Sequence, residues 1–373
     1  MEWNFCTANH NATGRSSLVD MLAFIKAGLE SIGHDVCVSE DIVFPDRLNV
    51  FFENFRSYNF EKIIDANVPF GLIATEIPTG QTFNWQENLD WQDRYKALKD
   101  LAPSAKFIWV MVESTLPFYK TFAPAGYLEL GFVEELYKPR RMIDNPKDFY
   151  FLGVKTPYRK DVLDKISRRA SVALPDEFLS EDKMLEFQAE GKISLNLKQS
   201  DNWPVPSPTK LARSLMSEIP ISSEYLPELT RQSEILGVCP RGMDFVDYSM
   251  DILESDWADR ARQNLRRFKD EMPMANILRD LIDQTVDKRI LFKNEAPKKI
   301  VMPSEPKLSK VIGSYNIIEF DGCFHAINHS LGELDVVEFL QSQAAQTDKS
   351  LYFKGYDLEE VTVMCKSPTL FNL

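Results

Sequence analysis

The stretch SPTKLARSLMSEIPI, residues 207–221, decides how the second half of the chain is read. Ser207 is an N-cap residue type, Pro208 suits the first helical position, and Thr209 and Lys210 then fall in the first turn. The first backbone N–H groups of a helix have no partner within it and form the positive end of its dipole. A hydroxyl and an ammonium placed there can meet an anion together with those N–H groups. The same Ser-Pro start also serves a core helix whose lysine is merely solvated, so the stretch leaves both readings standing. Its end, "IPISSE", reads as a strand.

Working outward, strands and helices alternate. "FYFLGV" (149–154), "SVALP" (171–175) and "KISLNLK" (192–198) read as strands, while "YRKDVLDKISRR" (158–169) and "SEDKMLEFQAEG" (180–191) read as helices. Upstream, "EWNFC" is a short strand followed by the polar loop "TANHNATGRSS". "LVDMLAFIKAGLESIG" (18–33) then has helical spacing up to a Gly33 stop. "HDVCVSE" and "LNVFFENF" are β-rich, and "VPFGLIATEIP" and "AKFIWVMVEST" are continuous apolar runs of the kind buried on both sheet faces. "NWQENLDWQDRYKALKDLAP" between them is helical and ends at Pro103. Residues 138–148, "KPRRMIDNPKD", are charged, carry two prolines and lack periodicity, as a linker does.

This alternation predicts an α/β protein with two Rossmann-like, doubly wound domains facing a cleft, over 1–140 and 141–299. Residues 244–272 and their neighbour read as one long, charged, amphipathic helical region. From 300 to 373 the pattern changes, and "YNIIEFDGCFHAIN" is a strand, an Asp-Gly turn and a strand, the strongest short hairpin signal in the chain. This segment reads as a small appended β-containing element.

A length of 373 residues suits two domains. The net charge of -13 argues against a nucleic-acid or anionic-membrane coat but leaves room for a local basic pocket. Five scattered cysteines with no C-x-x-C indicate neither a zinc ribbon nor a disulfide framework. No leader and no run of about 18 apolar residues appears, so a cytoplasmic chain without a membrane span is expected. The Asn11-Ala12-Thr13 sequon would go unused there. There is no GxGxxG, P-loop, G-x-S-x-G or H-E-x-x-H. His325 and His329 are four apart, but the hairpin puts His325 on a strand, against a metal site.

Ligands of open α/β sheets bind beyond the carboxyl ends of the strands. Three loops of the second half gather basic and hydroxyl groups at that edge. Gly153, Lys155, Thr156 and Arg159 follow its first strand; Asn196, Lys198, Ser200, Asp201 and Asn202 follow its third; Ser207, Thr209, Lys210 and Arg213 start the next helix. On these residues the half resembles the C-terminal donor domain of sugar-nucleotide-dependent glycosyltransferases of the GT-B fold, many of which carry a stretch close to P-T-K-L-x-E-x-L-A-x-G-x-P-V. The resemblance covers about residues 1–290 as architecture and 150–225 as motif. It implies that Lys210 and Arg159 contact donor phosphates with Thr209 nearby, and that Gly153, Lys155, Thr156, Lys198, Asn202, Ser207 and Arg213 surround the donor. In retaining members an acid stands where this chain has Arg213 and grips the donor ribose. Another acid lies eight residues earlier, where this chain has Val205. A ribose held by another residue such as Glu224, a monophosphate-activated acidic sugar favoured by Arg213, and an inactive copy are the three readings this leaves.

The resemblance further implies a metal-independent glycosyltransferase of polysaccharide biosynthesis. It would need no cofactor beyond its nucleotide-sugar donor and would act on a glycan or lipid-linked glycan acceptor. An inverting member needs a general base in its first domain. His10, in the loop after the first strand, and Glu76 and Glu113, each at the end of an apolar strand run, are the candidates. A loop histidine bonded to backbone, and glutamates that cap the next helix, are the structural readings of the same residues. Trp203, just before the phosphate helix, is the aromatic best placed to stack on a sugar. The competing class is a non-catalytic, glycosyltransferase-like scaffold subunit whose tail at 300–373 meets a partner.

Overall fold

The computed structural model describes residues 1–7, 12–39, 42–52, 63–65, 67–175, 179, 181–287, 300–301, 307–312, 315–320, 323–328 and 352–355. The first half supplies β1 (Glu2–Cys6), β2 (Asp35–Ser39), β3 (Ile42–Val43), β4 (Leu48–Phe52), β5 (Phe70–Ala74), β6 (Pro78–Thr79), β7 (Thr82–Phe83), β8 (Ile108–Val110) and β9 (Ala125–Tyr127). Six of these form one parallel sheet in the order β2-β1-β4-β5-β8-β9. The second half contributes β10 (Lys147–Tyr150), β11 (Val172–Ala173), β12 (Gly191–Asn196) and β13 (Ile221–Ser223), a parallel sheet in the order β11-β10-β12-β13. The doubly wound α/β architecture with two sheets, expected from the alternation, is the one observed.

Each sheet starts in its interior, runs outward by one strand and then returns past its start. The reversal lies between β1 and β4 in the first sheet and between β10 and β12 in the second. At such a point successive helices leave to opposite faces and open a crevice beyond the strand ends. In the second sheet α4 (Pro157–Ser167) packs Val162, Leu163 and Ile166 on the face of Phe149, Phe151, Ile193 and Leu195. On the opposite face α5 (Glu181–Phe187) sets Phe187 edge-on to the Tyr150 ring, and α6 (Pro208–Met216) brings Ser214 to the Tyr150 hydroxyl.

Both faces of the first sheet are covered as well. Every residue of β4 and β5 is buried, which is why their sequences lack polar alternation; the one polar residue, Asn49, accepts from the Asn4 amide at 2.9 Å. On one face, α2 (Leu89–Leu101) packs Tyr95, Leu98 and Leu101, and the short α3 (Leu116–Tyr119) packs Tyr119. On the other lie α1 (Ala12–Ser31) and α10 (Met274–Thr285), with Leu211, Leu215 and Met216 of α6 and Ile235 and Leu236 of α7 (Arg231–Leu236) in the same apolar cluster. That cluster joins the two halves. α1 and α10 can approach because Gly28 has no side chain: a Cβ there would stand 2.5 Å from Met274 and 2.7 Å from Leu278.

Several sequence expectations are corrected. α1 begins at Ala12, six residues before the predicted start, so part of the polar run is helical. The single long helical region is three helices. α8 (Phe245–Glu254) ends at Ser255, Asp256 caps α9 (Trp257–Glu271) by accepting from the Asp259 N–H at 3.0 Å, and Pro273 precedes α10. The segment 138–148 is without helix or strand until β10, yet it is tied down. The Arg140 guanidinium donates to the carbonyls of Gly191, Lys192 (2.8 Å) and Gln188 (3.3 Å), and burial lowers its pKa.

The tail forms a four-stranded antiparallel sheet in chain order, β15 (Lys307–Ile312), β16 (Tyr315–Phe320), β17 (Cys323–Asn328) and β18 (Tyr352–Gly355). The predicted hairpin is present with Phe320 opposite Cys323; its turn residues 321–322 lie outside the described residues. β14 (Ile300–Val301) pairs antiparallel with β3 and anchors the tail to the first half. His325 is buried on β17, and His329 lies outside the described residues. Among the described residues no helix is long and apolar enough to cross a membrane, and Cys6, Cys37 and Cys239 take part in no disulfide.

Candidate functional site

The second sheet's reversal places two loop-to-helix junctions side by side, 151–156 into α4 and 197–207 into the first turn of α6. Ser207 has the extended conformation of an N-cap (φ -78°, ψ 106°), but its hydroxyl makes no capping bond; it lies 3.5 Å from the Thr209 hydroxyl. The first N–H groups of α6 are therefore not taken by that side chain. Two cavities meet at this turn, and Ser207 and Thr209 line both.

The larger cavity, about 460 Å³, is within the second half and extends to Asp20 of α1. Its polar lining includes Lys155, Lys210, Arg213, Thr209, Ser194 and Asp20, with the aromatic Tyr150. A volume in the range of about 300–1,000 Å³ is typical of small-ligand sites. Lys210 rests with Nζ 4.6 Å from the centroid of the Phe151 ring and 3.4 Å from the Leu195 carbonyl. Among the described residues no carboxylate forms an ion pair with it. Burial, and then the charge of Arg159, push its pKa down to about 7. Desolvation disfavours an ammonium that has no counter-ion, and an arriving anion would restore its charge.

Arg213 is differently placed. It forms an ion pair with Asp20 of the first half, and its Nη1 also meets the Met184 sulfur at 3.3 Å. Burial lowers its pKa to about 10. Sequence reading had no signal for Asp20, which sits in an ordinary helical pattern and meets Arg213 only through the fold. The extra cation invoked for an acidic sugar is thus neutralised by a carboxylate in the same cavity.

Arg159, expected at the donor phosphates, donates instead to main-chain carbonyls: Nε to Lys198 (2.9 Å) and Leu197 (3.3 Å), Nη2 to Leu197 (3.0 Å) and Nη1 to Val154 (3.0 Å). Its guanidinium lies 5.5 Å from the Phe151 ring that Lys210 also covers. Its geometry binds the loop after β12 to the loop after β10. Thr156 works alongside it, capping α4 by accepting from the Arg159 N–H and donating to the Gln199 carbonyl at 2.9 Å. Gly153 takes φ +149°, a conformation suited to glycine, and a side chain there would press on the Phe151 ring at 3.1 Å.

The remaining cations are partly engaged. Lys155 donates to the Pro175 carbonyl at 2.7 Å, and Lys198 to the Asp201 carbonyl at 2.8 Å with its ammonium over the Tyr158 ring. Asn202 is exposed and lines neither cavity. Glu224, the alternative ribose ligand, is 5 % exposed; it accepts from the Tyr158 hydroxyl and from the Lys198 N–H at 2.6 Å. It braces the same loops from below.

The smaller cavity, about 270 Å³, lies between the halves. Leu18, Met21, Thr75, Met111 and Val112 face Arg159, Asn196, Lys198, Trp203 and Thr209 across it. The first-half acids are set apart from each other. Glu76, just after β5, accepts from the Asn84 amide and lies 3.5 Å from Arg94. Glu113 is exposed after β8 and opens on another cavity, of about 510 Å³, with Glu129, Glu234 and Asp280. Neither acid lines the two cavities at Thr209. His10 lies outside the described residues. No group of three or more His, Cys, Asp or Glu is placed to hold a metal among the described residues.

No family model matches the chain, and no curated protein matches it. Among solved structures it is similar to a mutant of T4 phage BGT in complex with UDP-glucose, at TM-score 0.47 and 8% identity over 77% of this chain and 100% of that one. It is also similar to AviGT4, a glycosyltransferase involved in avilamycin A biosynthesis (TM-score 0.45, 13% identity, 78% and 98% covered), and to TarM (TM-score 0.46, 10% identity). The match to TarM covers 65% of this chain and 56% of that protein.

Proposed function

We propose that this chain transfers a glycosyl group from a nucleotide-activated donor to a hydroxyl of a glycan or lipid-linked glycan. The donor phosphates lie at the first turn of α6. The observation that carries the reading is Lys210: an ammonium without a carboxylate partner among the described residues, lining a cavity at the open start of a helix, at the reversal point of a parallel sheet. Charge developing on a departing phosphate is met there by Lys210, by Lys155 and by the first N–H groups of α6, a preorganised set needing no divalent cation. Arg159 is a positioning residue in this reading, since it holds the loops that shape the site. With Arg213 balanced by Asp20, the cavity keeps a modest positive excess suited to a nucleoside diphosphate. The motive for an acidic monophosphate-activated sugar is correspondingly weaker.

Melting-temperature shifts with UDP, GDP, ADP and CMP test the reading. One nucleotide is expected to raise the melting temperature of the wild type and to lose that effect in Lys210→Ala, because a ligand bound only to the folded state stabilises it. A nucleotide effect unchanged in Lys210→Ala would overturn the assignment. The bonds that occupy Arg159 and Arg213 favour a second reading, a non-catalytic subunit that kept the fold. Absence of any nucleotide effect, with a partner retained on purification, would decide for it.

A further inference from the structure

Two tryptophans from opposite halves meet at the edge of the cavity between them. Trp203 lines that cavity and packs with Ile77, Val112 and Val205. Its ring meets Trp85 edge-on, with centroids 6.3 Å apart and planes at 70°. Trp85 leaves 52% of its surface in water. Asn84 and Trp85 have φ of +53° and +57°, a left-handed pair in a region that side-chain-bearing residues seldom enter.

The turn is held in that state from several sides. Asn84 exchanges backbone and side-chain bonds with Ile77 (N to O 2.8 Å; Oδ1 from the Ile77 N–H 3.0 Å), and the Trp85 N–H donates to the Thr79 hydroxyl at 2.9 Å. The Asn84 amide also donates to the Glu76 carboxylate. The turn thus joins the exposed indole, through Asn84, to the Glu76 carboxylate, whose other oxygen lies 3.5 Å from Arg94, and Trp203 connects the indole to the cavity that reaches Thr209. Strain that the surroundings over-determine points to use rather than to packing. An apolar occupant would gain from the indole but not from the carboxylate and amide beside it. A sugar ring uses all three: its C–H face lies on the indole and its hydroxyls bond to carboxylate and amide.

We infer that Trp85, Trp203 and Glu76 form a subsite for a saccharide acceptor. This rests on the reading that places the donor phosphates at Lys210. Saturation-transfer NMR on the full chain, with maltose, cellobiose and chitobiose as probes, tests it beside the UDP, GDP, ADP and CMP melting series. Trp85→Asn suits the test because asparagine tolerates the left-handed backbone, and Trp85→Phe keeps a ring. At least one saccharide is expected to show contact through its ring C–H protons. Its affinity should fall about tenfold, the effect of one stacking contact, in Trp85→Asn and recover in Trp85→Phe. The nucleotide effect should stay unchanged in both. Contact from none of the saccharides, or contact indifferent to Trp85→Asn, overturns the subsite. So does a lowered melting temperature in Trp85→Asn with unaltered saccharide contact, which makes the pair a latch between the halves. Loss of the nucleotide effect in Lys210→Ala is read separately, so the donor assignment stands or falls by itself.

Discussion

Arg213 of α6 pairs with Asp20 of α1, and the pair spans the two halves at one end of the larger cavity. Each side chain is about one-fifth exposed. Removing either partner leaves the other poorly solvated and uncompensated, whereas removing both leaves no orphan charge. Asp20→Asn and Arg213→Met are each expected to cost about 2 kcal/mol, below the 3–5 kcal/mol of a fully buried pair because of that residual exposure. The double variant should cost less than the sum, and urea unfolding of the four proteins measures the difference.

Lys210 gives the site a pH dependence. Its folded pKa of about 7 lies below the ordinary 10.5, so between those values the unfolded chain binds more protons than the folded one. Stability therefore rises with pH across that window, and the burial of the charged ammonium disfavours the fold below about pH 7. Lys210→Met should stabilise the protein at pH 6 and do so much less at pH 10, as urea midpoints will show. Nucleotide binding needs the charged form. The ratio of wild-type to Lys210→Arg affinity should fall as pH rises from 6 to 8.5, and titration calorimetry at several pH values reads it.

Much of this was legible in the amino-acid pattern. "VPFGLIATEIP" and "AKFIWVMVEST" read as buried strands because both faces of the first sheet are covered, and β5 and β8 are the result. β9 went unseen, since Ala125–Tyr127 is only three residues around a glycine. Gly126 is needed there because a Cβ would stand 2.4 Å from Leu281 of α10, a contact that no local pattern announces. In the site, the helix start at Ser207–Lys210 was legible because the proline at the first helical position is a local signal, although the Ser207 hydroxyl makes no capping bond. The partners of Arg159, Arg213 and Glu224 were not, because each is supplied by a distant loop or helix. Charged residues at one sheet edge look alike in sequence, whether they face a ligand or hold the main chain.

Arg159 and Lys210 lie over the same Phe151 ring but should respond differently to substitution. Arg159→Ala removes four contacts to the carbonyls of Val154, Leu197 and Lys198. It is expected to lower stability by roughly 2–3 kcal/mol, as for hydrogen bonds from a charged donor. Nucleotide binding should fall with it. Arg159→Lys should recover little of either, because an ammonium cannot reproduce the fork. Lys210→Ala should reduce binding with stability kept or raised. Paired unfolding and binding measurements on the three variants separate the positioning role from ligand contact.

Trp109 and Thr285 test how the chain's return to its first half is secured. The Trp109 indole N–H on β8 donates to the Thr285 hydroxyl at 2.9 Å, and that hydroxyl donates to the Leu281 carbonyl, so a buried polar atom of the first sheet depends on the last turn of α10. Thr285→Val keeps the volume but leaves the indole N–H without its acceptor, at an expected cost of about 1–3 kcal/mol. Trp109→Phe in the same background removes the orphaned donor along with some apolar area. The double variant should therefore lie closer to Trp109→Phe alone than additivity allows. If unfolding midpoints are additive instead, water reaches the indole and α10 is held by apolar contact alone, chiefly Leu278, Leu281 and Ile282.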